Sequence, residues 1–378
     1  MKILLVQKVK AFAGSEKYLT ELIPELTKRG YSCKLVCVIE QKDLCKLKHF
    51  EQVLQDKCIE YNFVIVTKNL SIGLLRKLNK IAKKDKYDLV HLHLIHAELW
   101  FALIKTFFGL KTKLVSTVHG FDETFQAEHG FDSSKVTNTK YVRILRFNQK
   151  KIANYFAVSK GLKDLMVEGG IIPENKIRVI NLGFNYPDIN QLKREESKLK
   201  TILVPGRIVP YKGQNLVIEM LPKLHDLGVS AQILIAGDAQ GNFAQKLKNQ
   251  VKELQIENNV QFLGHVSNID DYFQQSDLVI LSSKAEGFGL VLLEAFNHLK
   301  PVITFNVPAF NTTIKDGKTG LLTPCFDTEK LANNAAKLLT DHTFAQKLAK
   351  NAKQDLLSYY CLDRMVTETV AFYEDSNC

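Results

Sequence analysis

The chain lacks the cysteine spacing of a disulfide framework. Its seven cysteines stand at positions 33, 37, 45, 58, 325, 361 and 378, with no Cys-x-x-Cys pair and no regular interval. Reduced thiols in a cytoplasmic protein account for that pattern. Long apolar runs are also missing. The most apolar window, Glu98 to Leu110, is interrupted by Lys105 and falls short of a membrane span. Met1 to Lys10 is too short and too broken by lysine to act as a signal peptide. The expectation is a soluble, cytoplasmic chain. Val6 to Glu16, after the first apolar run, holds one glycine where a nicotinamide enzyme would want Gly-x-Gly-x-x-Gly. There is no Walker loop for a kinase and no Asp-x-Asp pair for a metal. Asp270 and Asp271 are adjacent and read as charges in the first turn of a helix.

What the chain does have is length, apolar residues and a lopsided charge. With 378 residues, of which 46% are hydrophobic, it can fill two cores. Residues 1–185 hold 31 Lys and Arg against 18 Asp and Glu, or +13; residues 186–378 hold 20 against 22, or −2. The basicity therefore belongs to the first half, concentrated in Arg76 to Lys86 and Lys140 to Lys151. Both stretches carry helical spacing with cations beside apolar residues, as solvated helix faces do, and as surfaces that dock on anionic headgroups do. Nucleic acid fits less well, because the aromatics are not interleaved with the charges as a stacking platform requires.

Short apolar strands alternate with helical stretches. In the first half they read at residues 3–6, 33–39, 63–66, 89–94, 113–118, 155–159 and 177–181; in the second at 202–205, 232–237, 260–264, 278–282 and 302–305. Such alternation predicts the α/β class, with two Rossmann-like, doubly wound parallel sheets facing across a cleft. The predicted divisions are an N-terminal domain over 1–185, a polar linker over 186–200 and a second domain over 201–355. A helix over 356–378 is expected to cross back to the first domain.

Open sheets bind ligands beyond the carboxyl ends of their strands, and the chemistry-bearing residues fall there. After the strand at 278–282 comes Ala285-Glu-Gly-Phe-Gly-Leu-Val-Leu-Leu-Glu294, a glycine loop running into a helix. A helix start aims unpaired N–H groups and a positive dipole end at an anion. Glu294 sits in an otherwise apolar helix, leaning back toward Glu286 in the loop. After the strand at 202–205, Gly206-Arg-Ile-Val-Pro-Tyr-Lys-Gly213 puts Arg207 and Lys212 in one loop, a fork and a point charge able to neutralise a diphosphate. His91, His93 and His96 cluster near one strand end, but no carboxylate accompanies them at ligand spacing, so buried histidines suit them better than a metal.

Taken together, Gly206 to Gly213, Ile233 to Gly241, Val260 to Ser267 and the two glutamates of Glu286 to Glu294 resemble the retaining glycosyltransferases of family 4, which have the GT-B fold. Ala13 to Glu16, Ala157 to Asp164 and Val179 to Asn185 resemble segments of that family's first domain, with Ala13 standing where the family has glycine. The resemblance implies that Arg207 and Lys212 hold the donor diphosphate and Glu294 the ribose, while Glu286 and His119 meet the donor sugar. Gly14, Phe288, Gly289 and Leu290 would line the sugar and phosphates, and Gly264, His265 and Val266 would face the base. It implies a nucleotide-sugar donor, with a UDP-sugar expected ahead of a GDP-sugar and a hexose-type sugar transferred. The lack of an Asp-x-Asp pair leads to the expectation of no metal or other cofactor, and the charge of the basic first half to that of a glycan or lipid-linked acceptor of cell-envelope polysaccharide or lipopolysaccharide synthesis. The basic first half would rest on the inner face of the membrane. A GT-B nucleotide-sugar epimerase and a catalytically inactive partner of a glycosyltransferase complex are the rival readings.

Overall fold

The computed structural model describes residues 1–187, 189, 198–266 and 268–377; most of the expected linker, residues 188 and 190–197, lies outside the described residues. The chain divides into two compact units. The first comprises Met1–Phe121, Asp132–Asn185 and the residues from Cys361; the second comprises Asp122–Phe131 and Tyr186–Tyr360.

In the first unit seven strands form one sheet: β1 (Lys2–Val9), β2 (Ser32–Glu40), β3 (Tyr61–Val66), β4 (Leu89–His93), β5 (Lys113–Val118), β6 (Asn154–Ala157) and β7 (Ile177–Val179). All pairs are parallel, in the order β3-β2-β1-β4-β5-β6-β7. Helices cover both faces, so the central strands are apolar throughout rather than alternating, and all five residues of β4 are buried. Side-chain caps fix several helix starts: Ser71 accepts from the Leu74 amide, Thr139 from Val142 and Ser159 from Leu162. The helix Leu362–Asn377 packs in this unit, and its Tyr373 hydroxyl bonds His91 Nδ1 at 2.7 Å.

The second unit has six strands: β8 (Lys200–Pro205), β9 (Ala231–Ala236), β10 (Val260–Gly264), β11 (Leu278–Leu281), β12 (Val302–Phe305) and β13 (Leu321–Thr323). They are parallel in the order β10-β9-β8-β11-β12-β13. The spacing predicts five of these and misses β13, which has only three residues and gains its register from β12 alone. The predicted C-terminal helix is also two helices, His342–Tyr359 and Leu362–Asn377, separated at Tyr360 and Cys361. Asp270 and Asp271 do lie in the first turn of a helix, Ile269–Gln275.

One buried charge stands out in the first core. Glu98, 3% exposed, lies on the helix Leu94–Phe107, inside the most apolar window of the sequence. It accepts from Ser116 Oγ at 2.6 Å and Asn148 Nδ2 at 3.3 Å, and burial raises its pKa above the ordinary carboxylate value. The folded state therefore holds the proton more tightly than the unfolded chain. No ionisation penalty applies below the unfolded pKa, and the penalty grows as pH rises toward the folded one. Glu98→Gln carries no such penalty, so it should raise the melting temperature near pH 8 and leave it unchanged near pH 4. Thermal denaturation across that range would show this, and a gain independent of pH would contradict it.

Candidate functional site

In the second unit the loops after β8 and β11 are stitched together. Ser282 Oγ donates to the Lys212 carbonyl at 2.9 Å, and the Lys284 amide donates to the Tyr211 carbonyl at 2.8 Å. Gly213 makes that approach possible. Its φ is +67°, and a Cβ there would lie 2.2 Å from the Ser282 carbonyl oxygen. Gly289 does the same work at the start of the helix Leu290–Asn297, with φ +84° and Phe310 Cε1 2.5 Å from where a Cβ would sit. No side chain caps that helix, and its first turn carries no acid, so its leading N–H groups remain available to an anion.

Between these loops lies a cavity of about 60 Å³ lined by Lys212, Ser282, Ser283, Glu286, Gly289 and Leu290 among others. Lys212 and Glu286 form an ion pair at its edge, with side chains 18% and 16% exposed. Ser283 Oγ donates to the same Glu286 oxygen at 3.3 Å. Arg207 and Glu294 do not line the cavity. Arg207 is anchored through its own loop: Gln214 Nε2 holds its carbonyl at 2.8 Å, and its guanidinium donates to the Tyr211 hydroxyl and, at 2.9 Å, to Glu123 Oε1. Burial lifts the Tyr211 phenol to about 12, so it stays neutral beside that cation. Glu294 stands one turn along the helix from Leu290. The Phe288 side chain is 5% exposed, its ring set edge-on to Tyr360, so the residue offers the loop its backbone only. Gly264, with φ +71°, His265 and Val266 follow β10 on the same carboxyl edge, His265 exposed and Val266 half-buried.

In the first unit, Gly14 opens the helix Gly14–Lys28 after β1. Glu16 closes that start by accepting from the Ala13 amide at 3.0 Å, while Gln7 Nε2 donates to Ser15 Oγ at 2.9 Å and to Glu16. Burial raises the Glu16 pKa. His119 follows β5, its Nε2 3.1 Å from His93 Nδ1 and its ring edge-on to Tyr18. Burial lowers its pKa to about 4, so the imidazole is neutral near pH 7 and can exchange hydrogen bonds without charge. His93 is more enclosed than its place at a strand end suggests, at 0% exposure, and so is His91. His91 spends both nitrogens on Tyr373 and Thr117, each at 2.7 Å, and no group of His, Cys, Asp or Glu suited to a metal occurs among the described residues. Sequence reasoning missed Tyr211, Ser282, Ser283 and Glu123. Glu123 lies 84 positions from Arg207, and no spacing signal connects them.

Paired parallel α/β units with glycine-bracketed cationic and acidic loops at their carboxyl edges define a GT-B glycosyltransferase, and the comparisons place the chain in one family. Residues 12–186 match the model for Glycosyltransferase Family 4 and residues 187–355 that for Glycosyl transferases group 1. The chain belongs to this family of glycosyltransferases. It is 30% identical to the N-acetyl-alpha-D-glucosaminyl L-malate synthase of Bacillus anthracis, covering 80% of this chain and 79% of that protein. It is 24% identical to an Escherichia coli UDP-Gal:alpha-D-GlcNAc-diphosphoundecaprenol alpha-1,3-galactosyltransferase, over 99% and 97% of the two chains. Among solved structures, Anabaena HepE in complex with UDP and glucose superposes with a TM-score of 0.80 at 22% identity, over 99% and 100% of the two chains, a likeness of fold.

Gly213→Ala should cost about 1–3 kcal/mol of stability, because it combines a left-handed φ with a backbone clash at Ser282. Chemical denaturation would measure that loss. A neutral effect would mean that the two loops do not need this close approach.

Proposed function

We propose that the chain is a retaining, metal-independent hexosyltransferase. In this reading it moves a hexose-type sugar from a UDP-sugar, ahead of a GDP-sugar, to a glycan or lipid-linked acceptor of cell-envelope polysaccharide or lipopolysaccharide synthesis. The observation that carries the reading is the Lys212–Glu286 pair at the edge of a cavity beside an uncapped helix start, with Arg207 in the same loop as Lys212. The E. coli relative, whose name specifies UDP-Gal and a diphosphoundecaprenol-linked acceptor, and the HepE complex with UDP and glucose support the donor and acceptor classes.

The chemistry follows from charge. Breaking the anomeric C–O bond builds oxocarbenium character on the sugar and negative charge on the departing diphosphate. Lys212, Arg207 and the N–H groups at Gly289 and Leu290 meet that charge as it develops, which favours the transition state over the ground state. Glu286, paired with Lys212, keeps the ammonium in place and turns its second oxygen to a sugar hydroxyl; Glu294 takes the ribose. Phe288 contributes backbone, Gly264, His265 and Val266 border the base, and Gly14 and the neutral His119 are further candidates for contact with the donor. Retention has the acceptor attack the face that the diphosphate leaves, with a phosphate oxygen taking its proton.

A cytoplasmic location, with the basic first half against an anionic membrane surface, belongs to the same reading. Among the described residues no helix is long and apolar enough to cross a membrane. Phe107, 72% exposed, stands close in sequence to Lys105, Lys111 and Lys113 as a site of shallow insertion.

A thermal-shift series with UDP, GDP, ADP and their sugars, repeated on Arg207→Ala, tests the donor site. UDP at a hundredfold excess over its Kd should stabilise the parent by about 2.7 kcal/mol, and the variant far less. An equal response from both proteins would remove Arg207 from the site. A product that is an isomerised sugar nucleotide, without transfer, would favour the epimerase.

A further inference from the structure

We propose that the switch point of the first unit's sheet is a second anion site, in which Lys10, His96 and the Lys8–Glu40–Lys42 cluster receive a phosphate or diphosphate group on the acceptor. Calling the ligand an acceptor rests on the glycosyltransferase reading; the anion site itself rests on the following geometry.

The chain builds outward from β1 through β2 to β3 on one side and from β4 through β7 on the other, so the loops after β1 and β4 part and leave a crevice between them. Lys8, near the end of β1, is 5% exposed, and its ammonium donates to Glu40 Oε1 at 2.7 Å. The other oxygen of Glu40 takes Lys42 at 2.9 Å. With two ammoniums on one carboxylate, that of Lys8 the stronger influence, Glu40 is held down to about 2. Asp43, the next acid along the chain, is occupied by Lys46 at 3.1 Å. Lys10 is exposed and forms no ion pair among the described residues. The cluster of Lys8, Lys10 and Lys42 against Glu40 thus carries three positive charges and one negative, a net +2. His96 lies close by, half-buried. Burial first, then the charges of Lys8 and Lys10, lower its pKa to about 4, so it adds a neutral donor rather than a further cation.

Two further features mark a ligand site. Asn69 lies beside this cluster, its carbonyl taking the Trp100 indole N–H at 2.7 Å, yet its buried Oδ1 has no partner among the described residues. An unpaired acceptor beside surplus cations suits a group that carries hydroxyls next to phosphate, as a sugar phosphate does. Leu94, where β4 ends, is held at φ +68°, a conformation that a leucine adopts only when its surroundings impose it.

Inorganic pyrophosphate is the probe. Titrated calorimetrically at low salt into the full chain saturated with UDP, it should still bind the parent protein. The Lys10→Ala/His96→Gln variant should bind it at least tenfold more weakly while keeping the parent's UDP affinity. Both residues lie outside the core, and circular dichroism would verify folding. Arg207→Ala should show the reverse, with UDP weakened and this pyrophosphate site kept. If the double variant binds pyrophosphate as the parent does, or the parent binds none with UDP present, the site is refuted. If the parent binds no nucleotide, the same titration is run on Arg207→Ala; binding that then depends on Lys10 and His96 upholds the site while the donor reading falls.

Discussion

Everything at the second unit's carboxyl edge depends on holding a lysine ammonium in a place that water barely reaches. Desolvating Lys212 and Glu286 costs free energy that their mutual attraction roughly offsets, so the pair is weak as a source of stability. Its value is positional. The glutamate fixes the ammonium beside a cavity, an uncapped helix start and the hydroxyls of Ser282 and Ser283. The backbone makes this possible, because Gly213 lets the loop after β8 touch the loop after β11 and Gly289 lets the helix start pass Phe310.

The first unit solves a different problem with the same architecture. Its carboxyl edge is crowded with histidines that burial keeps neutral and with lysines that share too few acids. Imidazoles that are neutral near pH 7 exchange hydrogen bonds without adding charge, whereas surplus ammoniums raise the local positive potential. Tyr373, reaching His91 from the last helix, braces one end of the histidine row. The C-terminal residues are thereby tied to the strands that begin the chain, a link across 282 positions.

The architecture was legible because central parallel strands are buried on both faces and read as unbroken apolar runs, with glycine and helical spacing between them. Twelve of the thirteen strands among the described residues were legible; β13 was not, although β7 is equally short, and its place in the sheet is set by pairing with β12. The loops that carry Arg207, Lys212 and Glu286 were legible for a related reason. Each follows a strand, and glycines mark where the chain turns.

What the sequence alone determined is local: which segments are strands, which loops carry charge, and which helix starts bare. What only the tertiary structure decided is pairing. It joined Lys212 to Glu286, Arg207 to Tyr211 and Glu123, and His93 to His119, and it left Arg207 and Glu294 outside the cavity that Glu286 lines. Periodicity reports the direction of a side chain from its own element, but a contact between loops depends on how sheet order brings distant strand ends together. That order is a property of packing and is not written in any single stretch of chain.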